Sequence, residues 1–76
     1  MKLQTLIHRL HNEKSKIGDV TREIEKDQMY YSYKDEARLK DYLNKKLLSK
    51  GMLTGFVELL ALHELINYTG EMGNIH

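Results

Sequence analysis

One short segment, residues 63–67 (HELIN), holds the residue types of a zinc-protease helix but not their required pattern. That chemistry needs a histidine at both i and i+4, because two imidazoles on one helix face must reach the same metal. Here the second position is Asn67, an amide that binds zinc poorly. We therefore expect His63 to be partly buried, Glu64 to face solvent, and neither residue to be catalytic.

His8 and His11 lie one helical turn apart, and Glu13 follows two residues later. Two histidines at i and i+3 can chelate a divalent ion, but a specific site needs a third or fourth ligand. Both histidines lie off the leucine pattern described below, so we expect them to face solvent. The sequence therefore predicts adventitious metal binding at most, with no resident metal and no other cofactor.

Tyrosines interleaved with basic residues near position 30 are the best sequence indication of nucleic-acid binding. Aromatic rings can stack on bases while cations hold the phosphates. However, Asp27, Asp35 and Glu36 lie among them and would repel phosphate, and such tyrosines also fill corners between helices. Nucleic-acid binding is therefore kept as the alternative function, and its expected residues are Arg22, Lys26, Tyr30, Tyr31, Lys34 and Arg38.

Other catalytic and nucleic-acid patterns are missing from the sequence. The five glycines are scattered rather than grouped in a phosphate-binding loop, and no serine has the setting of a nucleophile. A helix-turn-helix centred on Gly51 would make residues 53–62 read DNA, yet that segment has no Arg, Lys, Asn or Gln to contact base edges. We therefore do not expect an enzyme or a major-groove reader.

Composition limits the chain to one small folded domain. Its 76 residues are 41% apolar and 30% charged, with no proline and no cysteine. Disulfides and thiolate metal sites are thereby excluded, and a domain of this size buries only about 60% of its unfolded surface. No apolar stretch approaches the ~20 residues of a membrane helix and no signal-peptide core is present, so we expect a cytoplasmic protein that does not bind membranes.

The N-terminal third of the chain is typical of one long amphipathic helix. Its apolar residues follow a heptad pattern in which Glu13 occupies one expected apolar position: Leu3, Leu6, Leu10, Ile17, Val20 and Ile24. Gly18, with Asp19 as a cap, could divide this segment into two helices. The pattern continues across Gly18, so we favour a single helix over residues 2–27.

A second helix is predicted over residues 33–50. Ser32 and Asp35 suit its start, and Gly51 suits a left-handed C-cap. Leucines four residues apart give this helix one apolar face: Leu39, Leu43 and Leu47.

The last helix, predicted from Gly55 to about Tyr68, is apolar on nearly every side. Such a helix has to be covered all round, and the rest of so short a chain can cover about two sides of it. Gly70 is expected to end the helix, which leaves residues 1–70 as the folded domain and residues 71–76 as a frayed tail. Residues 51–76 hold three glutamates and no lysine or arginine.

The sequence thus predicts a small all-α protein, a bundle of three helices or of four if the first is divided. We expect a non-enzymatic interaction or regulatory protein that binds a protein partner or itself, with a homodimer favoured. The expected contacts are Leu3, Leu6, Leu10, Phe56, Leu59 and Leu62. Phages and mobile elements often encode short proteins of this kind to block a host complex. This role is suggested by the general class of protein and not by particular residues.

Overall fold

A computed structural model describes the backbone of residues 1–75 and the side chains of residues 1–68. Helix α1 spans Leu3–Arg9, α2 spans Lys16–Glu25, α3 spans Glu36–Ser49 and α4 spans Leu53–Ile75, with a 3-10 turn at Gln28–Ser32 between α2 and α3. The described residues contain no strand. The predicted all-helical class is therefore confirmed for this part of the chain.

The predicted long N-terminal helix is wrong, because the chain forms α1 and α2 with a connection over residues 10–15. The break falls where Glu13 interrupts the heptad pattern, and not at Gly18, which lies inside α2. Residues 11–16 (HNEKSK) offer no apolar side chain. A helix continued through them would have no face to bury, and short helices depend on such burial for stability.

Gly18 allows this connection to pack directly on α2. A Cβ atom added at Gly18 would overlap the carbonyl oxygen of Glu13. The Arg22 guanidinium donates hydrogen bonds to that same oxygen at 2.8 Å and to the His11 carbonyl oxygen at 2.7 Å. Arg22 therefore holds the connection over a position where only glycine leaves enough room.

Helix α3 begins at an aspartate cap and ends at a glycine. The Asp35 carboxylate accepts a hydrogen bond from the Ala37 amide at 3.0 Å, which places the start of the helix later than Tyr33. Gly51 has a φ of 71°, and the Met52 amide donates to the Leu47 carbonyl oxygen at 2.8 Å. The predicted glycine C-cap is confirmed, since this pairing satisfies carbonyls that the helix end leaves open.

Helix α4 packs against each of the other three helices. It approaches α2 closely at Gly55, where an added Cβ would lie 2.6 Å from Val20 Cγ2. One core collects apolar side chains from all four helices and the 3-10 turn: Leu3, Leu6, Ile7, Val20, Ile24, Tyr30, Leu39, Leu43, Leu47, Phe56 and Leu59. Most of the chain's apolar burial therefore lies around one side of α4.

The bounds of α4 differ from the predicted ones at both ends. The helix begins at Leu53 rather than Gly55, and it is assigned to Ile75 rather than ending near Tyr68. The predicted frayed tail over residues 71–76 lies outside the residues whose side chains are described. Within the described part of the chain, none of the helices combines the length and mean hydropathy needed to cross a membrane.

The packing at Gly18 predicts that replacing this glycine by alanine lowers the stability of the fold, although alanine normally stabilises a helix. On helix propensity alone, Gly18→Ala should stabilise α2 by about 1 kcal/mol. We expect the opposite, a loss of about 1–3 kcal/mol, because the new methyl group overlaps a held backbone carbonyl. Urea unfolding followed by circular dichroism measures the difference. A stabilised Gly18→Ala variant would contradict the described path of residues 10–15.

Candidate functional site

Four of the six predicted contact residues lie inside the chain's own core. Leu3, Leu6, Phe56 and Leu59 are each at most 3% exposed, so a partner docking on the folded chain does not reach them. Leu10 and Leu62 are half-buried at the edge of that core. The sequence therefore identified apolar residues that stabilise the fold, and the exposed apolar surface lies elsewhere.

Part of that surface is a line of side chains on α4, here named the outer face: Val57, Ala61, Leu65 and Tyr68. Large apolar side chains outside α4 are also exposed, at Met29, Tyr31 and Leu48. Spacings of four, four and three residues put the residues of the outer face on one side of the helix. Val57 is 54% exposed, Leu65 58% and Tyr68 64%, which is high for large apolar side chains. The buried side of α4, centred on Phe56 and Leu59, points away from this line.

The rim of the outer face is acidic. Glu58 and Glu64 are exposed and border the line of apolar residues on its two sides. No lysine or arginine lies in residues 51–76. The outer face is therefore an apolar strip with a negative border.

The residues of the nucleic-acid alternative are divided between the core and the surface. Tyr30 is 2% exposed and its hydroxyl faces the Gln4 carbonyl oxygen, so its ring cannot stack on a base. Burial raises the pKa of Tyr30 above its ordinary value. Tyr31 is exposed, and Lys34 lies beside it in an open cleft.

The three remaining residues of that set are engaged with acidic or backbone partners. Arg22 pairs with Asp19 in addition to holding the connection. Lys26 lies 3.5 Å from Glu23, and Arg38 Nε lies 3.8 Å from a carboxylate oxygen of Asp35. The acidic neighbours carry negative charge. From the sequence, we expected this charge to oppose phosphate binding.

His63, from the segment that resembled a zinc-protease helix, is a buried structural residue. Its side chain is 2% exposed, so it is buried more completely than we expected. Glu64 is exposed, as predicted. The imidazole Nε2 lies 2.8 Å from the Met1 carbonyl oxygen, and the Met1 ammonium donates to the Asn67 side chain at 2.9 Å. His63 and Asn67 therefore hold the start of the chain on α4.

His8 and His11 meet a carboxylate that the sequence did not suggest. Their partner is Glu25 at the end of α2, and not the nearby Glu13. Glu25 is 17 residues from His8, and no sequence spacing marks the pair. The contact exists because the connection folds back along α2.

Asp27 joins the end of α2 to α3. Its carboxylate accepts hydrogen bonds from the Lys46 ammonium, the Tyr42 hydroxyl and, at 2.9 Å, the Met29 amide. The Lys46 and Tyr42 bonds lower the pKa of Asp27 to about 2, and the bond to Asp27 raises the pKa of Tyr42 to about 12. Both carboxylate oxygens are occupied, so this group connects elements of the fold rather than offering an open reactive site.

Comparison with known proteins gives no match to a family model, to a curated protein or to a solved structure.

The Asp27 group generates a pH-dependent prediction. At pH 7 Asp27→Asn should lower the urea midpoint, because Lys46 and Tyr42 lose their anionic acceptor. The folded-state pKa of about 2 is below the ordinary 3.8, so the stabilisation is complete above pH 3.8 and is lost as pH falls toward 2. The gap between wild type and Asp27→Asn should therefore close over that range.

The matched control is Asp41→Asn. This change removes an exposed i,i+4 ion pair between Asp41 and Lys45, both on α3. Exposed pairs of this kind contribute little, so this variant should unfold like wild type at pH 7. A gap between wild type and Asp27→Asn that persists unchanged at pH 2 would contradict the role given to the Asp27 carboxylate.

Proposed function

We propose that this chain is a non-enzymatic interaction or regulatory protein of the cytoplasm, and that the outer face of α4 is its contact surface. The observation that supports this is the alignment of Val57, Leu65 and Tyr68, each more than half exposed, along one side of one helix. Removing such side chains from water is favourable by about 25 cal/mol per Å² of apolar surface. Continuous apolar surface of this kind usually marks a protein contact.

A second copy of the chain is the partner that we propose first. In a two-fold symmetric dimer each outer face would meet the same face of the other copy, so the apolar line matches itself. Glu58 and Glu64 would then lie at the wet rim of the contact, where salt and water screen their repulsion. A small chain also gains stability from such association, because its own core is limited by size.

Binding to another protein is the related form of the same proposal. The acidic border of the outer face would favour a partner whose apolar groove is edged by lysine or arginine. Occlusion of a host complex by a phage or mobile-element protein is one role that such a surface would serve. Its mechanism would be to cover a surface or assemble a complex, without chemistry.

Nucleic-acid binding keeps one supporting observation. The exposed Tyr31 lines a cleft with Lys2 and Lys34, and the cleft also includes Glu36. This part of the alternative set could hold a base and a phosphate together. Absence of any binding to a single-stranded oligonucleotide at low salt would remove this alternative.

Two leucines give a matched test of the outer face. Leu65 on α4 is 58% exposed and Leu48 on α3 is 59% exposed. Replacing either leucine by glutamate therefore introduces the same charge at a side chain of nearly equal exposure. We expect wild-type protein to sediment with a concentration-dependent mass above the 9.0 kDa of one chain. Leu65→Glu should weaken the association about tenfold or more, because it places a carboxylate in an apolar contact.

Leu48→Glu should leave the association unchanged, and Val57→Glu should weaken it as Leu65→Glu does. Circular dichroism confirms that each variant is folded. A wild-type protein that remains at the mass of one chain at every concentration would exclude the homodimer. Equal capture of protein partners by wild type and Leu65→Glu would exclude the outer face as the contact surface.

A further inference from the structure

His8, His11 and Glu25 bring three potential metal ligands together from three segments of the chain. His8 lies in the last turn of α1, His11 in the connection, and Glu25 at the end of α2. His8 Nδ1 lies 3.2 Å from Glu25 Oε2, and His11 Nδ1 lies 4.0 Å from Glu25 Oε1. One ligand atom from each residue lies within 4.8 Å of the other two.

The ligand types in this group suit a divalent cation. Among the side chains that the structure describes, the ion-pair partners of the Glu25 carboxylate are these two imidazoles. The carboxylate therefore faces two imidazole rings, which are common metal ligands in their neutral form. His8 Nδ1 faces the Glu25 carboxylate and His11 Nδ1 faces the His8 carbonyl oxygen, so each nitrogen donates a hydrogen bond in the metal-free chain. A divalent metal would displace the proton from each ligating nitrogen and bind both rings together with the carboxylate.

The spacing suits a small tetrahedral ion. Zinc holds nitrogen and oxygen ligands at about 2.0–2.2 Å, which places neighbouring ligand atoms about 3.4 Å apart. The closest pair here, at 3.2 Å, is already near that separation, and the remaining pairs, at up to 4.8 Å, need to close by at most about 1.4 Å. Rotation of the His8 side chain, which is 74% exposed, can move its nitrogen into place. The 4.0 Å between His11 Nδ1 and Glu25 Oε1 has to close by movement of those two side chains.

The three residues are positioned by independent parts of the fold. The backbone of His11 is held by the Arg22 guanidinium at 2.7 Å, and Glu25 is fixed by its place in α2. The two imidazole rings have centroids 5.0 Å apart and planes inclined by 33°. Ligands held by a folded scaffold bind a metal with less loss of conformational freedom than ligands on a free peptide.

We propose that His8, His11 and Glu25 form a binding site for one divalent ion of the zinc type. Two nitrogens and one carboxylate oxygen are ligands that zinc accepts, with water completing the tetrahedron on the exposed side. The bound ion ties α1 and the connection to the end of α2. This site is separate from the outer face of α4, so it is tested independently of the proposed association.

Zinc titration of the full chain against a chromophoric competitor tests the site. We expect one zinc per chain, and a loss of affinity of about tenfold or more in each of His8→Ala, His11→Ala and Glu25→Gln. The matched control is Glu23→Gln, which changes a carboxylate on the same helix that pairs with Lys50 and Lys26 instead. Its zinc affinity should equal that of wild type.

A second measurement follows the thermal stability of the protein instead of the amount of bound metal. Zinc should raise the thermal midpoint of wild type and Glu23→Gln, and should not raise that of Glu25→Gln. Equal zinc affinity in wild type and Glu25→Gln would mean that the two histidines bind metal adventitiously, and would overturn the proposal. A stoichiometry of one zinc per two chains would also overturn it, because the ion would then bridge separate copies.

Discussion

The fold depends on how the chain covers a helix that is apolar on nearly all sides. One side of α4 is buried beneath α1, α2 and α3, with Phe56 and Leu59 fully enclosed and Gly55 allowing a close approach to α2. The opposite side carries the exposed apolar line that includes Val57 and Leu65. In the described part of this chain, α1, α2 and α3 cover only the first of these two sides. Its internal packing and its proposed association therefore have the same physical origin.

The break between α1 and α2 makes this partial coverage possible. A continuous helix over residues 2–27 would extend more than about 30 Å and would carry its first residues away from the other elements. Instead, the Leu3 amide donates to the Glu36 carboxylate at 2.8 Å, and Gln4 donates to the Tyr33 carbonyl oxygen at 3.1 Å. These bonds place α1 beside the start of α3, where Leu3 enters the core.

Local sequence signals predicted much of the fold but little of the candidate sites. The all-helical class and the Gly51 cap follow from residues close together in the chain, and the structure confirms both. The break at residues 10–15 was missed because the heptad pattern resumes after Glu13, which conceals the change of direction. In α4 the apolar residues surround the helix, so periodicity could not distinguish its buried side from its exposed side. The contact of His8 with Glu25 depends on that missed break, and no spacing encodes it.

The central claim is that the outer face of α4 is a contact surface on the folded chain. A dilution series of the ¹⁵N-labelled protein, followed by two-dimensional NMR, tests it most directly because each amide reports separately. We expect concentration-dependent shifts or broadening at Val57, Ala61, Leu65 and Tyr68, with the amide of Leu48 on α3 unaffected. Amides on the outer face that remain unchanged over the full range, while those elsewhere shift, would contradict the account.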